Sequence, residues 1–252
     1  MKVEPVDLDE AAALVINLLI SQLVIVVAGC AGSVVLAGVT SGDWAGAALG
    51  FGWLRSIADS LCALSAAQSL VLAALLGAVF CVAAYFWERR AFAKGKRAEV
   101  VSLRRGINGE LPRLPIVLWI VLMTLAGFAE ELLFRFALLG LAIELLAGVL
   151  PDVAAAVAAV VVSSLLFWIA HVRYRSLAST VATLLLGVAL GAAFLATGSL
   201  AVAAGAHALY NVGVLAIARF RMNRDPDYFA GPAPKRVLLD QLENERGERA
   251  TL

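Results

Sequence analysis

Charged residues are scarce in this sequence. Asp, Glu, Lys and Arg together make up 15% of the 252 residues, and hydrophobic residues make up 62%. Soluble proteins have about 25% charged and about 45–50% apolar residues. The apolar content excludes a disordered chain. Because 20 basic residues nearly balance 19 acidic ones, there is no overall positive field to attract nucleic acid, and we expect no nucleic-acid partner.

Cysteine and histidine are also rare. Cys30, Cys62 and Cys81 lie in apolar stretches, are odd in number and form no Cys-x-x-Cys pair, so a disulfide framework or a cysteine metal cluster is excluded. We interpret them as small residues of the core or the lipid-facing surface. The chain has only two histidines, and both occur in the apolar part of the sequence.

Long hydrophobic runs dominate what is present. A membrane-crossing helix needs about 20 mostly apolar residues, and six segments meet this requirement: Ala11–Val39, Leu61–Phe86, Leu114–Ala147, Val153–His171, Leu177–Thr197 and Leu200–Ala218. Backbone groups cannot stay unpaired in hydrocarbon, and the alternation typical of barrel strands is absent. The sequence therefore predicts an all-α, polytopic helical bundle with about six transmembrane helices.

The basic residues predict how this bundle is oriented. The segment between the second and third runs carries eight of them: Arg89, Arg90, Lys94, Lys96, Arg97, Arg104, Arg105 and Arg113. If this loop is cytoplasmic, both termini and the turn with Arg173 and Arg175 lie on the same side. The loop could also attract anionic lipid head groups. We expect an integral protein of the bacterial cytoplasmic membrane with both termini inside the cell.

The first run contains a competing signal. Val27–Cys30 resembles a lipoprotein cleavage box, which would remove the first helix. Four acidic residues precede residue 11 against the single Lys2, whereas a signal peptide has a positive start. The apolar run also continues past Cys30, so we expect the first helix to be retained.

The polar residues inside the predicted spans form three groups. The third span contains Glu130, Glu131 and Arg135, the fourth Phe167 and His171, and the sixth His207 and Asn211. Ionisable groups within a membrane are costly and are functional candidates by default. The spacing of four residues in Glu131/Arg135 permits an ion pair on one helix face. The same spacing allows Phe167 to orient His171, and it sets His207 beside Asn211 as two donors for an oxyanion.

These motifs resemble a known family. Glu-Glu-x-x-x-Arg, Phe-x-x-x-His and His-x-x-x-Asn, in this order on successive membrane helices, resemble the CPBP intramembrane proteases, which include the CAAX prenyl endopeptidases. The resemblance implies that Glu130 activates a water molecule and that His171 positions it. It also implies that His207 and Asn211 form the oxyanion hole, while Glu131, Arg135 and Phe167 support the site. The implied substrate is a membrane-associated or C-terminal-tail peptide.

The resemblance also divides the chain. Residues 1–113 comprise two N-terminal helices and the basic loop, residues 114–221 the catalytic core, and residues 222–252 a polar cytoplasmic tail. We expect a protease that needs no cofactor. Zinc remains an alternative, because two histidines and a glutamate can supply three ligands. A purely structural role is an open alternative for each group, and is as probable as catalysis for the Glu131–Arg135 pair.

Two further alternatives concern function as a whole. A non-enzymatic immunity or scaffold protein would use the polar cluster only to fix helix packing, and a proton-coupled transporter would use the carboxylates as a relay.

The predicted depths of the polar groups in the membrane disagree: Glu130 lies far along its helix, whereas His171 lies near Arg173 at the predicted membrane edge. Either the third helix tilts or starts outside the bilayer, or the fourth continues past His171.

Overall fold

The computed structural model describes residues 8–95, 107–171 and 177–224. The middle of the basic loop, the turn with Arg173 and Arg175, and nearly all of the polar tail lie outside the described residues. The helices are α1 (Leu8–Ser41), α2 (Trp44–Leu49), α3 (Gly52–Leu61), α4 (Ala66–Ala93), α5 (Ile107–Glu110), α6 (Ile116–Ala147), α7 (Asp152–Ala170), α8 (Leu177–Thr197) and α9 (Leu200–Arg224). These ranges contain no β-strand.

The predicted fold class is confirmed. Six of the described helices are long and apolar enough to cross a membrane: α1, α4, α6, α7, α8 and α9. The chain is therefore an integral membrane protein with an all-α bundle. The largest difference from the predicted bounds is in the second span, which runs Ala66–Ala93 rather than Leu61–Phe86. Ser65 causes the later start, because its side chain and that of Gln68 form a capping box there.

Two short helices that the sequence did not predict connect α1 to α4. Asp43 caps α2 by accepting a hydrogen bond from the Gly46 backbone amide at 2.8 Å. Ser60, near the end of α3, donates to the Gly198 carbonyl at 2.8 Å and accepts from the Leu200 amide at 3.2 Å. This one hydroxyl satisfies backbone groups at the start of α9, and so fixes the helix that carries His207.

One end of the bundle collects basic residues from three helices. Arg219 on α9 donates to the carbonyl of Leu114, before α6, at 2.8 Å, and Arg221 pairs with Glu88 of α4 at 3.8 Å. We call this end the basic end; the described basic residues there are Arg89, Arg90, Lys94, Arg113, Arg219, Arg221 and Arg224. The start of α1 packs there too, through Ala11 and Leu14. That this end faces the cytoplasm stays a prediction.

Small residues let the helices that carry the site approach closely. Gly127 of α6 lies against α9: a Cβ added there would come within 2.9 Å of the Ala208 backbone nitrogen and 3.0 Å of the Ala204 carbonyl oxygen. Gly77 of α4 faces Ala206 of α9 in the same way. Close backbone contact through small residues is typical of membrane helix pairs, and here it brings α6 and α9 together one turn from Glu130.

Gly127→Val should therefore destabilise the protein. The neighbouring atoms are backbone and cannot rotate away, so the helices must separate, and we expect the free energy of unfolding to fall by about 3 kcal/mol. Gly148→Val is the control, since a Cβ at Gly148 meets nothing within 4 Å; a change within about 0.5 kcal/mol is expected there. Chemical unfolding in detergent micelles measures both, and equal stabilities would contradict the close approach.

Candidate active site

The two adjacent glutamates lie where α6 changes its helical type. The chain is α-helical from Ile116 to Glu131 and π-helical from Leu132 to Leu139, and it returns to α-helix at Gly140. π-Helical stretches are rare and often occur at functional sites. The sequence predicted a continuous helix here, because no Pro or other signal in this stretch marks the change.

Glu131 links two cationic or ionisable side chains in the interior. Its Oε2 lies 3.0 Å from Nε of Arg135, and its Oε1 lies 2.8 Å from Nδ1 of His207. The side chains of Glu131 and Arg135 are completely buried, and that of His207 is 4% exposed. The Glu131–Arg135 contact is close enough for an ion pair but is not aligned as a hydrogen bond. Glu131 thus neutralises Arg135 and orients His207.

Glu130 faces both imidazoles from a different direction. Its Oε2 lies 3.5 Å from Nε2 of His171 and 3.9 Å from Nε2 of His207. The Glu130 side chain is 12% exposed and that of His171 is 28% exposed. Glu130, His171 and His207 therefore converge from α6, from the end of α7 and from α9. One member of each motif thus meets at a single place in the bundle.

His171 is oriented by the backbone of Phe167. Its Nδ1 lies 2.8 Å from the Phe167 carbonyl oxygen. A carbonyl can only accept, so Nδ1 carries the proton, and in a neutral ring the Nε2 that faces Glu130 has a free lone pair. The same argument applies to His207, whose Nδ1 donates to the Glu131 carboxylate. The two Nε2 atoms are thus the ring atoms directed toward Glu130.

Phe167 packs against most of the site. Its ring centroid lies 4.5 Å from that of His171 and 5.8 Å from that of His207. The guanidinium carbon of Arg135 lies 4.5 Å from the ring centroid, within cation–π range. The side chain is 1% exposed. The sequence predicted that Phe167 walls the histidine, and the structure adds its contact with Arg135.

Glu130 and His171 bring two hydrogen-bond acceptors close together. Oε2 of Glu130 is buried and has no hydrogen-bond partner, although Nε2 of His171 is only 3.5 Å away. A carboxylate oxygen and a neutral imidazole lone pair both need a donor, and water has two O–H groups. The site is polar and its atoms are spaced so that one bridging donor satisfies both acceptors.

Asn211 is placed near the site but is not joined to it. It lies one turn beyond His207 on α9 and is partly exposed, and its side chain makes no hydrogen bond to any described residue.

Two residues that the sequence analysis missed contact the site or its supports. The Gly187 carbonyl lies 3.4 Å from Nη2 of Arg135, and Ser163 binds the π-helical stretch. Ser163 has no motif that would have distinguished it, and Gly187 belongs to a Gly-x-x-x-Gly pair with Gly191 whose spacing indicates close helix packing and no role at the site.

The different lengths of α6 and α7 bring Glu130 and His171 to one depth. At about 1.5 Å per residue, Glu130 lies about 26 Å from the end of α6 at Ala147, and His171 about 28 Å from the start of α7 at Asp152. The helix ends at Ala170 and His171 is its C-cap. Because α7 does not continue past His171, the explanation that fits the described helices is the first one, in which α6 tilts or starts outside the bilayer.

Among the described residues, no group of three or more His, Cys, Asp or Glu side chains is arranged to hold a metal ion. The nearest approach to such a set is Glu130 with the two histidines. The zinc alternative is therefore a matter for experiment.

Residues 112–213 match the family model described as type II CAAX prenyl endopeptidase Rce1-like. This region contains all three motifs and every side chain of the site described above. No curated protein and no solved structure matches the chain.

Proposed function

We propose that the protein is an intramembrane endopeptidase of the type II CAAX prenyl endopeptidase Rce1-like family, whose model residues 112–213 match, and that it uses Glu130 to activate water. The observation that carries the proposal is the convergence of Glu130 with two histidines on one partly exposed spot inside a bundle of apolar helices. Among the described residues, no other carboxylate in the spans is both partly exposed and close to two histidines.

The reaction begins with the bridging water. Glu130 accepts one proton from it, and the Nε2 lone pair of His171 holds the other O–H, so that the oxygen is directed outward. That oxygen attacks the carbonyl carbon of the scissile peptide bond and forms a tetrahedral intermediate. Glu130 then delivers the proton to the leaving nitrogen as the C–N bond breaks, which balances the hydrolysis.

The oxyanion requires donors, and this sets a condition on His207. Its Nδ1 already donates to Glu131, so Nε2 can donate only when the ring carries two protons. The buried Glu131 carboxylate compensates the positive charge of such a ring. Asn211, one turn away on the same face, supplies a second donor when substrate is bound. Glu131 acts here by orienting His207 and has no role in contacting the water.

The proposed substrate is a peptide that reaches the site from the basic end. Helix α7 ends level with Glu130, whereas α6 extends about 21 Å further toward the basic end. A membrane-associated or C-terminal tail fits this approach, because a free end is already unfolded. Incubation of the purified protein in lipid vesicles with peptides that end in a CAAX sequence, prenylated and unprenylated, tests the activity. Failure to cleave any of them would favour the immunity or scaffold alternative.

Hydrolysis should not depend on a bound metal ion. The water is held by Glu130 and His171 directly, so we expect EDTA and 1,10-phenanthroline to leave kcat/KM within about twofold of the untreated value. The measurement is peptide hydrolysis before and after treatment and dialysis, with a known zinc protease as a positive control. Loss of activity that added zinc restores would refute the metal-free mechanism and leave the peptidase assignment intact.

A further inference from the structure

Ser163 is a buried serine of α7 whose hydroxyl reaches across to α6. Its Oγ donates to the backbone carbonyl oxygen of Phe134 at 2.6 Å, and the residue is 1% exposed. The adjacent Ser164 is 2% exposed, but its Oγ donates to the Val160 carbonyl at 2.7 Å within its own helix. Two neighbouring buried serines thus differ in their hydrogen bonding: the hydroxyl of Ser163 joins α7 to α6, whereas that of Ser164, which lies against Gly187 of α8, binds within its own helix.

The acceptor lies in the π-helical stretch of α6. This stretch begins directly after the two glutamates, and Phe134 is its third residue. A π-turn disrupts the regular ladder of backbone hydrogen bonds, and such disruptions are where a side chain from outside can bind a carbonyl. Between the described parts of α6 and α7, this is the one hydrogen bond. It therefore fixes the π-helical stretch against α7 rather than against solvent or lipid.

The position of this bond matters for the site. Ser163, Phe167 and His171 are spaced by four residues, so they follow one another along one side of α7. On α6, Phe134 lies four residues after Glu130. The two helices are antiparallel, and the Phe134 and Phe167 rings meet edge to face at 5.2 Å between the bond and the site. A rotation or slide of α7 at Ser163 therefore moves His171 relative to Glu130.

We propose that Ser163 is a positioning residue that holds His171 at 3.5 Å from Glu130 by binding the Phe134 carbonyl. The expected effect on catalysis rests on the proposed function. The expected effect on the distance between His171 and Glu130 does not. Ser163 touches neither water nor substrate. It acts through the register of α7, and the Glu130–His171 spacing is the quantity that it controls.

Kinetics provide the first test. Ser163→Ala should lower kcat by about tenfold to a hundredfold, because a displacement of about 1 Å at a catalytic group has effects of this size, and KM should stay within about twofold. Ser164→Ala is the matched control and should leave kcat within about twofold. Ser163→Thr, which keeps the hydroxyl, should restore most of the activity. Equal kcat values for Ser163→Ala and Ser164→Ala would overturn the proposal.

Histidine NMR provides a second test that needs no catalysis. The protein has only two histidines, so a histidine-labelled sample in micelles gives two ring signals, which His207→Gln assigns. We expect Ser163→Ala to shift the His171 signal, as Glu130→Gln also should, and to shift it more than the His207 signal, because His207 lies on α9 and meets α7 only through the Phe167 ring among these contacts. An unchanged His171 signal would overturn the inference, whether or not the wild type cleaves a peptide. Failure of the wild type to cleave any peptide would refute only the proposed function.

A folding defect does not remove the test. If Ser163→Ala does not fold, Ser163→Cys keeps a similar volume with a weaker donor. Its kcat should be lower than that of the wild type and of Ser164→Ala, and its His171 signal should be shifted from theirs. A cysteine variant identical to the wild type in both measurements would contradict the proposal.

Discussion

Glu130→Gln should hydrolyse peptide about 10²–10⁴ times more slowly than the wild type while folding normally, because glutamine cannot accept the proton from water. The amide has nearly the same size as the carboxyl, and Glu130 is partly exposed and has no ion pair with Arg or Lys among the described residues, so stability should change little. The measurement is kcat/KM for a peptide that the wild type cleaves, together with the unfolding midpoint of both proteins.

Glu144→Gln is the matched control for this variant. Glu144 lies on the same helix, α6, but beyond the π-helical stretch, and it is exposed. It should retain full activity. Comparison of membrane peptides from cells that carry the wild type, Glu130→Gln or Glu144→Gln would also identify the natural substrate. Full hydrolysis by Glu130→Gln would exclude Glu130 as the base.

Glu131→Leu should have the largest effect on stability. It leaves the guanidinium of Arg135, which is completely buried, without a carboxylate, and His207 without its acceptor. Breaking a buried ion pair on one side costs about 3–5 kcal/mol, and we expect the free energy of unfolding in micelles to fall by that amount. Glu130 and Glu131 are adjacent in sequence, yet the loss of Glu130 should lower activity and the loss of Glu131 should lower stability.

An exposed pair of the same spacing provides the control. Arg55 and Asp59 are also four residues apart on one helix, with an Nε–Oδ2 distance of 3.9 Å and exposures of 87% and 75%. Exposed pairs contribute little, so Asp59→Leu should change the free energy of unfolding by less than about 1 kcal/mol. If Glu131→Leu were as stable as Asp59→Leu, the buried Glu131–Arg135 pair would not stabilise the fold.

The sequence analysis predicted the six spans and located the polar residues within them, because both depend on local properties, whereas the meeting of these residues at one site was implied by the family resemblance. Hydrophobic length determines which segments cross the membrane, and a polar residue in an apolar run is visible without knowing its neighbours. The spacing of four in Glu131/Arg135 and in Phe167/His171 corresponds to contacts in the structure. The catalytic roles assigned to these residues stay predictions.

What could not be predicted depends on pairs of distant segments. The Glu131–His207 hydrogen bond joins residues 76 positions apart, and neither residue indicates the other. The Ser163–Phe134 bond and the π-helical stretch are likewise tertiary: each arises from how α7 packs on α6. The short helices α2 and α3 were missed because six and ten residues are too few for a hydropathy pattern to distinguish from a loop.

The early end of α7 also limits the length of a peptide that can be cut. From the first turn of α6 to Glu130 the path is about 21 Å, and an extended chain covers about 3.5 Å per residue. A peptide that enters from the basic end must therefore contribute about six unfolded residues before its scissile bond reaches the carboxylate. If the proposed activity and entry route are right, a compact loop on a folded neighbour would be too short to be cut.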